Sequence, residues 1–150
     1  MKIFNKGLGE EVNNEYIYTL GKADVLKEGR DLTIFTSGIM ASEVLKTLSL
    51  LEEANINAEV ISLNTLKPLD KETILKSVKK TNKAVVVENH SVIGGAFSSV
   101  AEYLSTVYPI IMKPIGIQDE FGQTGKYREL LEVYKLDYNN IAKQIIEFMK

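Results

Sequence analysis

Few residues in this chain have side chains suited to chemistry. His90 is the single histidine, and there is no cysteine. Sites built on two imidazoles, thiolate nucleophiles, thiolate metal centres and disulfides are therefore excluded. An imidazole titrates near pH 6.5 and could serve as acid or base. Glu88 lies two residues earlier and would share a side with His90 on a continuing strand. Ser91 follows, but no nucleophile motif surrounds it. A Glu88–His90 pair at a domain or subunit contact is favoured over a catalytic histidine. Ser37-Gly38 ends a β-branched stretch just before a helical pattern, where free backbone N–H groups attract anions. A plain strand-to-helix turn is the favoured alternative. Gly94-Gly95 could admit a phosphate to a helix start, but it lacks both Gly-x-Gly-x-x-Gly spacing and a Walker lysine. Close packing of the next helix is the better reading. Phe121-Gly122-Gln123-Thr124-Gly125 reads equally as a docking loop or as a connector in which Thr124 caps the following helix.

These residues need elements to hold them. Glu15–Leu20 is aromatic and β-branched and is stopped by Gly21, which predicts a first strand. Asp31–Thr36, Ala58–Leu63, Ala84–Glu88 and Ile110–Ile117 read as four more. Ala84–Glu88 is an almost unbroken apolar run, as expected of a strand covered on both faces. Pro114 suits an edge strand, because proline cannot donate to a central ladder. Val44, Leu45, Leu48 and Leu51 recur with helical period, predicting a helix over Ile39–Ala54 that ends at Asn55. Asp70 is placed to cap a helix running to about Lys80, with Leu69 and Ile74 at staple spacing. Further helices are expected after Gly95, over Gly125–Tyr134 and over Tyr138–Met149. Asp137 is the N-cap of the last, with Leu136 and Ile141 as its staple. Residues 1–14 read as a tail or linker and residues 15–150 as one domain. Alternating strands and helices predict a three-layer α/β/α sandwich on a largely parallel sheet.

Composition narrows the function classes. The chain has 150 residues, 45% of them hydrophobic and 25% charged, with a net charge of −2. Its 18 basic and 20 acidic side chains leave no electrostatic footprint for nucleic acid. Lys76, Lys79, Lys80 and Lys83 are interrupted and nearly balanced by acids, so they read as a solvated face. Tyr127, Tyr134 and Tyr138 read as packing residues rather than a stacking platform. No apolar run approaches the ~20 residues of a membrane span. No signal-peptide core opens the sequence, so a cytoplasmic location is expected.

Four ordered segments give a more specific signal. They are Gly21–Ile34 with Ser37-Gly38, Lys67-Pro68-Leu69-Asp70, Val87–Gly95, and Ile115–Gly125. Together the chain from about Glu15 resembles the C-terminal domain of the transketolase family. That resemblance implies a five-stranded mixed sheet in order 1-3-2-4-5 with the first strand antiparallel. It also implies a dimeric parent enzyme that uses thiamine diphosphate and Mg2+ to move two-carbon ketol units between sugar phosphates, the chemistry of the pentose phosphate pathway. The implied partners are the pyrimidine- and diphosphate-binding domains or subunit, with this domain contributing to assembly. The equivalent domain of deoxyxylulose-phosphate synthase or of a 2-oxo-acid dehydrogenase beta chain is the nearby alternative.

The resemblance also directs attention to what this chain lacks. The diphosphate-binding signature of such enzymes begins Gly-Asp-Gly, and no Gly-Asp pair occurs here. The glutamate that activates the cofactor belongs to another domain. No catalytic, cofactor-binding or metal-binding residue is therefore assigned, and the isolated chain is expected to be inactive. In the implied strand order, the ends of the second and fourth strands meet at a switch point. Ser37, Gly38, Glu88 and His90 are thus the candidate crevice for a small anion or metabolite, the role a free-standing binding module would use. An exposed apolar patch is expected where partner domains would sit.

Overall fold

The computed structural model describes residues 17–150. The predicted tail at residues 1–14 lies outside the described residues. Five strands form one sheet: β1 (Asp24–Lys27), β2 (Leu32–Thr36), β3 (Ala58–Ser62), β4 (Lys83–Ser91) and β5 (Ile111–Ile117). Their order is β1-β3-β2-β4-β5. β1 runs antiparallel to β3, and every other pair is parallel. This is the mixed sheet expected above.

The first strand is displaced from its predicted position. Ile17–Leu20 forms no strand, and the pairing begins at Asp24 opposite Ser62. Aromatic and β-branched composition pointed to the wrong segment. The true strand is a short edge strand whose last three residues are exposed, so it carries little alternating pattern. Gly21, with φ +76°, turns the chain beneath Pro68, where an added Cβ would come within 2.9 Å of the ring.

Five helices cover the sheet: α1 (Met40–Glu53), α2 (Lys71–Thr81), α3 (Ala96–Val107), α4 (Tyr127–Val133) and α5 (Tyr138–Met149). On one face, Leu32, Ile34, Val60, Val85 and Val87 pack with Val44 and Leu51 of α1, Leu131 of α4 and Ile141 of α5. On the other, Phe35, Ile61 and Val86 pack with Ile74 and Val78 of α2 and with Val100 and Leu104 of α3. The central strands are apolar on both sides because both sides are covered.

Helix ends follow local chemistry. α1 stops as predicted: Asn55 takes φ 60° and the Ile56 N–H reaches the Leu51 carbonyl at 2.8 Å, a left-handed cap. Asp137 caps α5 by accepting from the N–H groups of Asn139 and Asn140. α4 begins at Tyr127 with Lys126 as its N-cap. Thr124 therefore does not cap that helix. The Lys126 N–H instead donates to Glu129 Oε2 at 3.2 Å.

A polar cluster lies within the sheet–α2 layer. The buried Glu59 carboxylate accepts from Ser77 Oγ and, at 2.6 Å, from Lys80 Nζ. Thr33 Oγ1 lies 2.6 Å from Ser77 Oγ and 2.8 Å from Thr81 Oγ1. Lys80 also reaches Glu28 at 2.9 Å. Hydrogen bonds to Glu59 and Glu28 hold the Lys80 ammonium above its ordinary pKa. The Lys80 contact lowers that of Glu28. The cluster fastens α2 to β2 and β3 and, through Lys80, to Glu28 just past β1, and its buried members are satisfied by one another.

Candidate functional site

The sheet does bring the ends of β2 and β4 together. Thr36 pairs with Val87, so Ser37 and Glu88 are the next residues along adjacent parallel strands. From there the chains part. β2 feeds α1 on one face, and β4 feeds α3 on the other, which makes this a switch point.

Glu88 does not turn toward His90 or the crevice. It is 3% exposed. Its Oε2 accepts from the Ala96 N–H at 2.7 Å and its Oε1 from the Phe97 N–H at 3.0 Å. The carboxylate thus caps α3 from eight residues upstream, where the N-cap residue itself is a glycine with no side-chain oxygen. Gly95 is required for this contact. Its φ of −90° is open to any residue, but a Cβ would lie 2.1 Å from Glu88 Oε2. The glycine pair therefore serves close packing, with the protein's own acid seated at the helix start.

His90 is exposed, and its Nδ1 lies 3.0 Å from the Ser91 carbonyl. Glu88 and His90 have separate partners, so the expected pair does not form. β4 changes register between Val87 and Ser91, which breaks the simple alternation on which the pairing relied. Gly38 sits at φ 59° with open space around it, and the α1 start has no side-chain cap. The Thr36 hydroxyl, at the end of β2, is buried and has no hydrogen-bond partner among the described residues.

A second buried carboxylate governs the same end of the sheet. Asp70 accepts from the Thr73 N–H at 3.2 Å, the Thr73 hydroxyl at 2.9 Å and the Ala23 N–H at 2.9 Å. It fixes both the start of α2 and the entry to β1. Burial pushes its carboxyl pKa up. The backbone N–H bonds from Ala23 and Thr73, the Thr73 hydroxyl and the nearby Lys22 outweigh that and hold it below the ordinary value. The cap on Thr73 is visible in the sequence. The reach to Ala23 is not, because it depends on the position of β1.

The loop 118–126 stands at the end of β5. Phe121 is 100% exposed at its tip. The Gln123 N–H donates to Tyr134 Oη at 2.7 Å, and the Tyr134 hydroxyl reaches back to the Phe121 carbonyl at 3.5 Å. Gly122, Thr124 and Gly125 are exposed along the same loop. Tyr127 follows it, with its hydroxyl 4.0 Å from Met40 Sδ. Burial, with Glu43 nearby, raises the Tyr127 phenol pKa.

Three helix starts are unsuited to the diphosphate of thiamine diphosphate, while the start of α1 has no side-chain cap. The starts of α2, α3 and α5 are filled by the chain's own carboxylates from Asp70, Glu88 and Asp137. A diphosphate brought there would meet negative charge instead of free N–H groups. Among the described residues, no group of three or more His, Asp or Glu side chains is placed to hold a metal ion.

Fold and site together define an α/β/α module with a five-stranded, edge-antiparallel sheet, in which the starts of α2, α3 and α5 are closed by the chain's own acids. Residues 21–141 match the family model described as "Transketolase, C-terminal domain", and the chain belongs to that family. It is 41% identical over 142 residues to a putative transketolase C-terminal section from Methanocaldococcus jannaschii, covering 93% of this chain and 44% of that protein. It is 41% identical over 129 residues to the 6-deoxy-6-sulfo-D-fructose transketolase subunit SqwH of Clostridium sp., covering 86% of this chain and 39% of that one. Among solved structures, a split-gene transketolase described as an inactive beta4 tetramer aligns with a TM-score of 0.84 and 36% identity. That alignment covers 94% of this chain and 47% of the other. The pyruvate dehydrogenase E1 beta subunit of Bacillus subtilis and 1-deoxy-D-xylulose-5-phosphate synthase of Heliobacterium modesticaldum are also similar, at 44% and 34% identity. The chain thus spans less than half the length of the relatives it matches.

Proposed function

We propose that this chain is the non-catalytic assembly module of a thiamine-diphosphate enzyme of the transketolase class. The parent enzyme is cytoplasmic and dimeric, and it transfers two-carbon ketol units between sugar phosphates, as in the pentose phosphate pathway. Its reaction centre, with the cofactor and Mg2+, is housed in pyrimidine- and diphosphate-binding domains or a partner subunit. One observation carries the reading. The domain closes the starts of α2, α3 and α5 with Asp70, Glu88 and Asp137, so at three of its helix starts a carboxylate stands where a phosphorylated ligand would be received. The missing Gly-Asp-Gly signature supports the same conclusion. Among the described residues no helix is long and apolar enough to cross a membrane, which is compatible with this location.

Calorimetry of the chain with thiamine diphosphate and Mg2+ tests the reading, and no saturable heat is expected. The rival role, a small-anion module using Ser37, Gly38, Glu88 and His90, predicts a thermal shift with sugar phosphates that Ser37→Ala or His90→Ala removes. Glu88 is bound to the Ala96 and Phe97 N–H groups at the start of α3 and does not supply the crevice, which argues against the rival. Similarity to the dehydrogenase beta subunit and the deoxyxylulose-phosphate synthase keeps the assembly role but would change the parent reaction.

A further inference from the structure

Large apolar side chains stand exposed at one end of the sheet, one from each connection that leaves a parallel strand. Ile39 follows β2, Leu66 follows β3, Ile93 follows β4 and Phe121 follows β5, with Tyr127 just beyond. Ile93 is 65% exposed and Phe121 completely so. Single exposed apolar residues are ordinary, but one on each of four neighbouring loops marks a contact surface.

The loops bearing these side chains are anchored. Glu88 fixes the start of α3 behind Ile93. The Val92 N–H donates to the Ile117 carbonyl at 3.0 Å, joining the β4 loop to the end of β5. A Cβ on Gly116 would lie 2.9 Å from both the His90 carbonyl and Val92 Cγ1, so these two segments are in close contact. Tyr134 holds the Phe121 loop. A preformed surface loses little side-chain and loop freedom on docking.

The chain also enters the domain at this end. Because β1 is antiparallel, its first residue lies opposite Ser62, the last residue of β3. Gly21 packs on Pro68, and Lys22 reaches Glu72 at 3.3 Å. Ile17 and Leu20, just ahead of this entry point, are 84% and 67% exposed. More than half of each relative's length lies outside the matched region, and the family model places this domain at the C-terminal side.

We propose that the rim formed by Ile39, Leu66, Ile93, Phe121 and Tyr127 is the docking surface for the folded domain that precedes this one in the longer relatives. The proposal rests on the assembly reading and commits that reading to one end of the sheet.

The test joins the unmatched portion of the Methanocaldococcus relative ahead of the full chain and compares hydrogen exchange with the chain alone. Such a linker gives an effective concentration on the order of millimolar, so even weak docking registers. Amides of 92–95 and 118–126 are expected to slow at least tenfold in the fusion. Ile93→Asp with Phe121→Asp should abolish that slowing, and Ile111→Asp at the opposite end should not. Slowing confined to 107–111 would overturn the proposal while leaving the assembly role intact. Slowing at the rim that appears equally in the chain alone as its concentration rises would assign the surface to a second copy and overturn the proposal. No slowing anywhere would overturn both.

Discussion

The two ends of the sheet are built differently. At the amino end, α2 joins β4 through Asn82 alone, and α1 joins β3 through a left-handed cap at Asn55. Polar backbone contacts close this end: the Arg30 and Asp31 N–H groups both reach the Asn57 carbonyl at 3.0 Å, and the Asp31 carboxylate accepts from the Asn57 N–H at 2.7 Å. At the carboxyl end the connections are longer, buried carboxylates hold their bases, and their tips carry apolar side chains into the open. The amino end is closed mainly by its polar contacts, with Val107 and Ile111 the exposed apolar residues around the start of β5. The carboxyl end is held in shape for something else to complete.

That contrast can be broken by substitution, starting with the carboxylate that holds the β4 loop. Glu88→Ala leaves two helix-start N–H groups without their acceptor and should cost about 3 kcal/mol, read by urea denaturation. A cost below about 1 kcal/mol would mean that the carboxyl-end loops are not held as described. Gly95→Ala should cost about 2–3 kcal/mol, because its Cβ cannot coexist with Glu88 Oε2. In Glu88→Ala, the same Gly95→Ala change should cost less, the remainder coming from the 2.7 Å approach of its Cβ to the Ser91 carbonyl, and the non-additive part reports the contact with Glu88.

Asp70→Ala should cost about 2 kcal/mol through loss of the α2 cap and the tie to Ala23. The pH dependence has a definite sign. The folded carboxyl pKa lies below the unfolded one, so its stabilisation is complete above roughly pH 4 and is lost as pH falls through the folded value. Stability curves of wild type and Asp70→Asn should therefore converge in acid and separate toward neutral pH. At the amino end, Asn55→Gly should change stability by no more than about 0.5 kcal/mol, since glycine suits the same left-handed backbone. The smallest effect belongs to the loop tips. Phe121→Asp should leave the thermal midpoint of the chain alone unchanged, because Phe121 is fully exposed. A drop comparable to Gly95→Ala would place that ring in the domain's own core.

Much of this was legible in the sequence wherever cause and effect lie close together. Asp70 and Asp137 announce their helices because a cap acts within three residues. Ala84–Val87 announces a central strand because both its faces are apolar. The left-handed end of α1 falls at Asn55, where a tolerant residue stands. Legibility failed where the partner is remote. Glu88 caps α3 across an eight-residue gap, and the only local sign is a helix start, Gly94-Gly95-Ala96, that supplies no capping side chain of its own. β1 is recognised by its ladder to β3, which no window of a few residues contains. Thr124 has the right residue type for a cap, but the helix starts later. The Glu59–Lys80 cluster could have been suspected from an acid within the buried strand Ala58–Ser62, since such a charge needs a partner.

Turnover by the purified chain is the most direct test of the assembly reading. With thiamine diphosphate and Mg2+ supplied, a ketose phosphate donor and an aldose phosphate acceptor should show no two-carbon transfer above background at any chain concentration. Transfer that rises in proportion to the chain and persists through repurification would contradict the account.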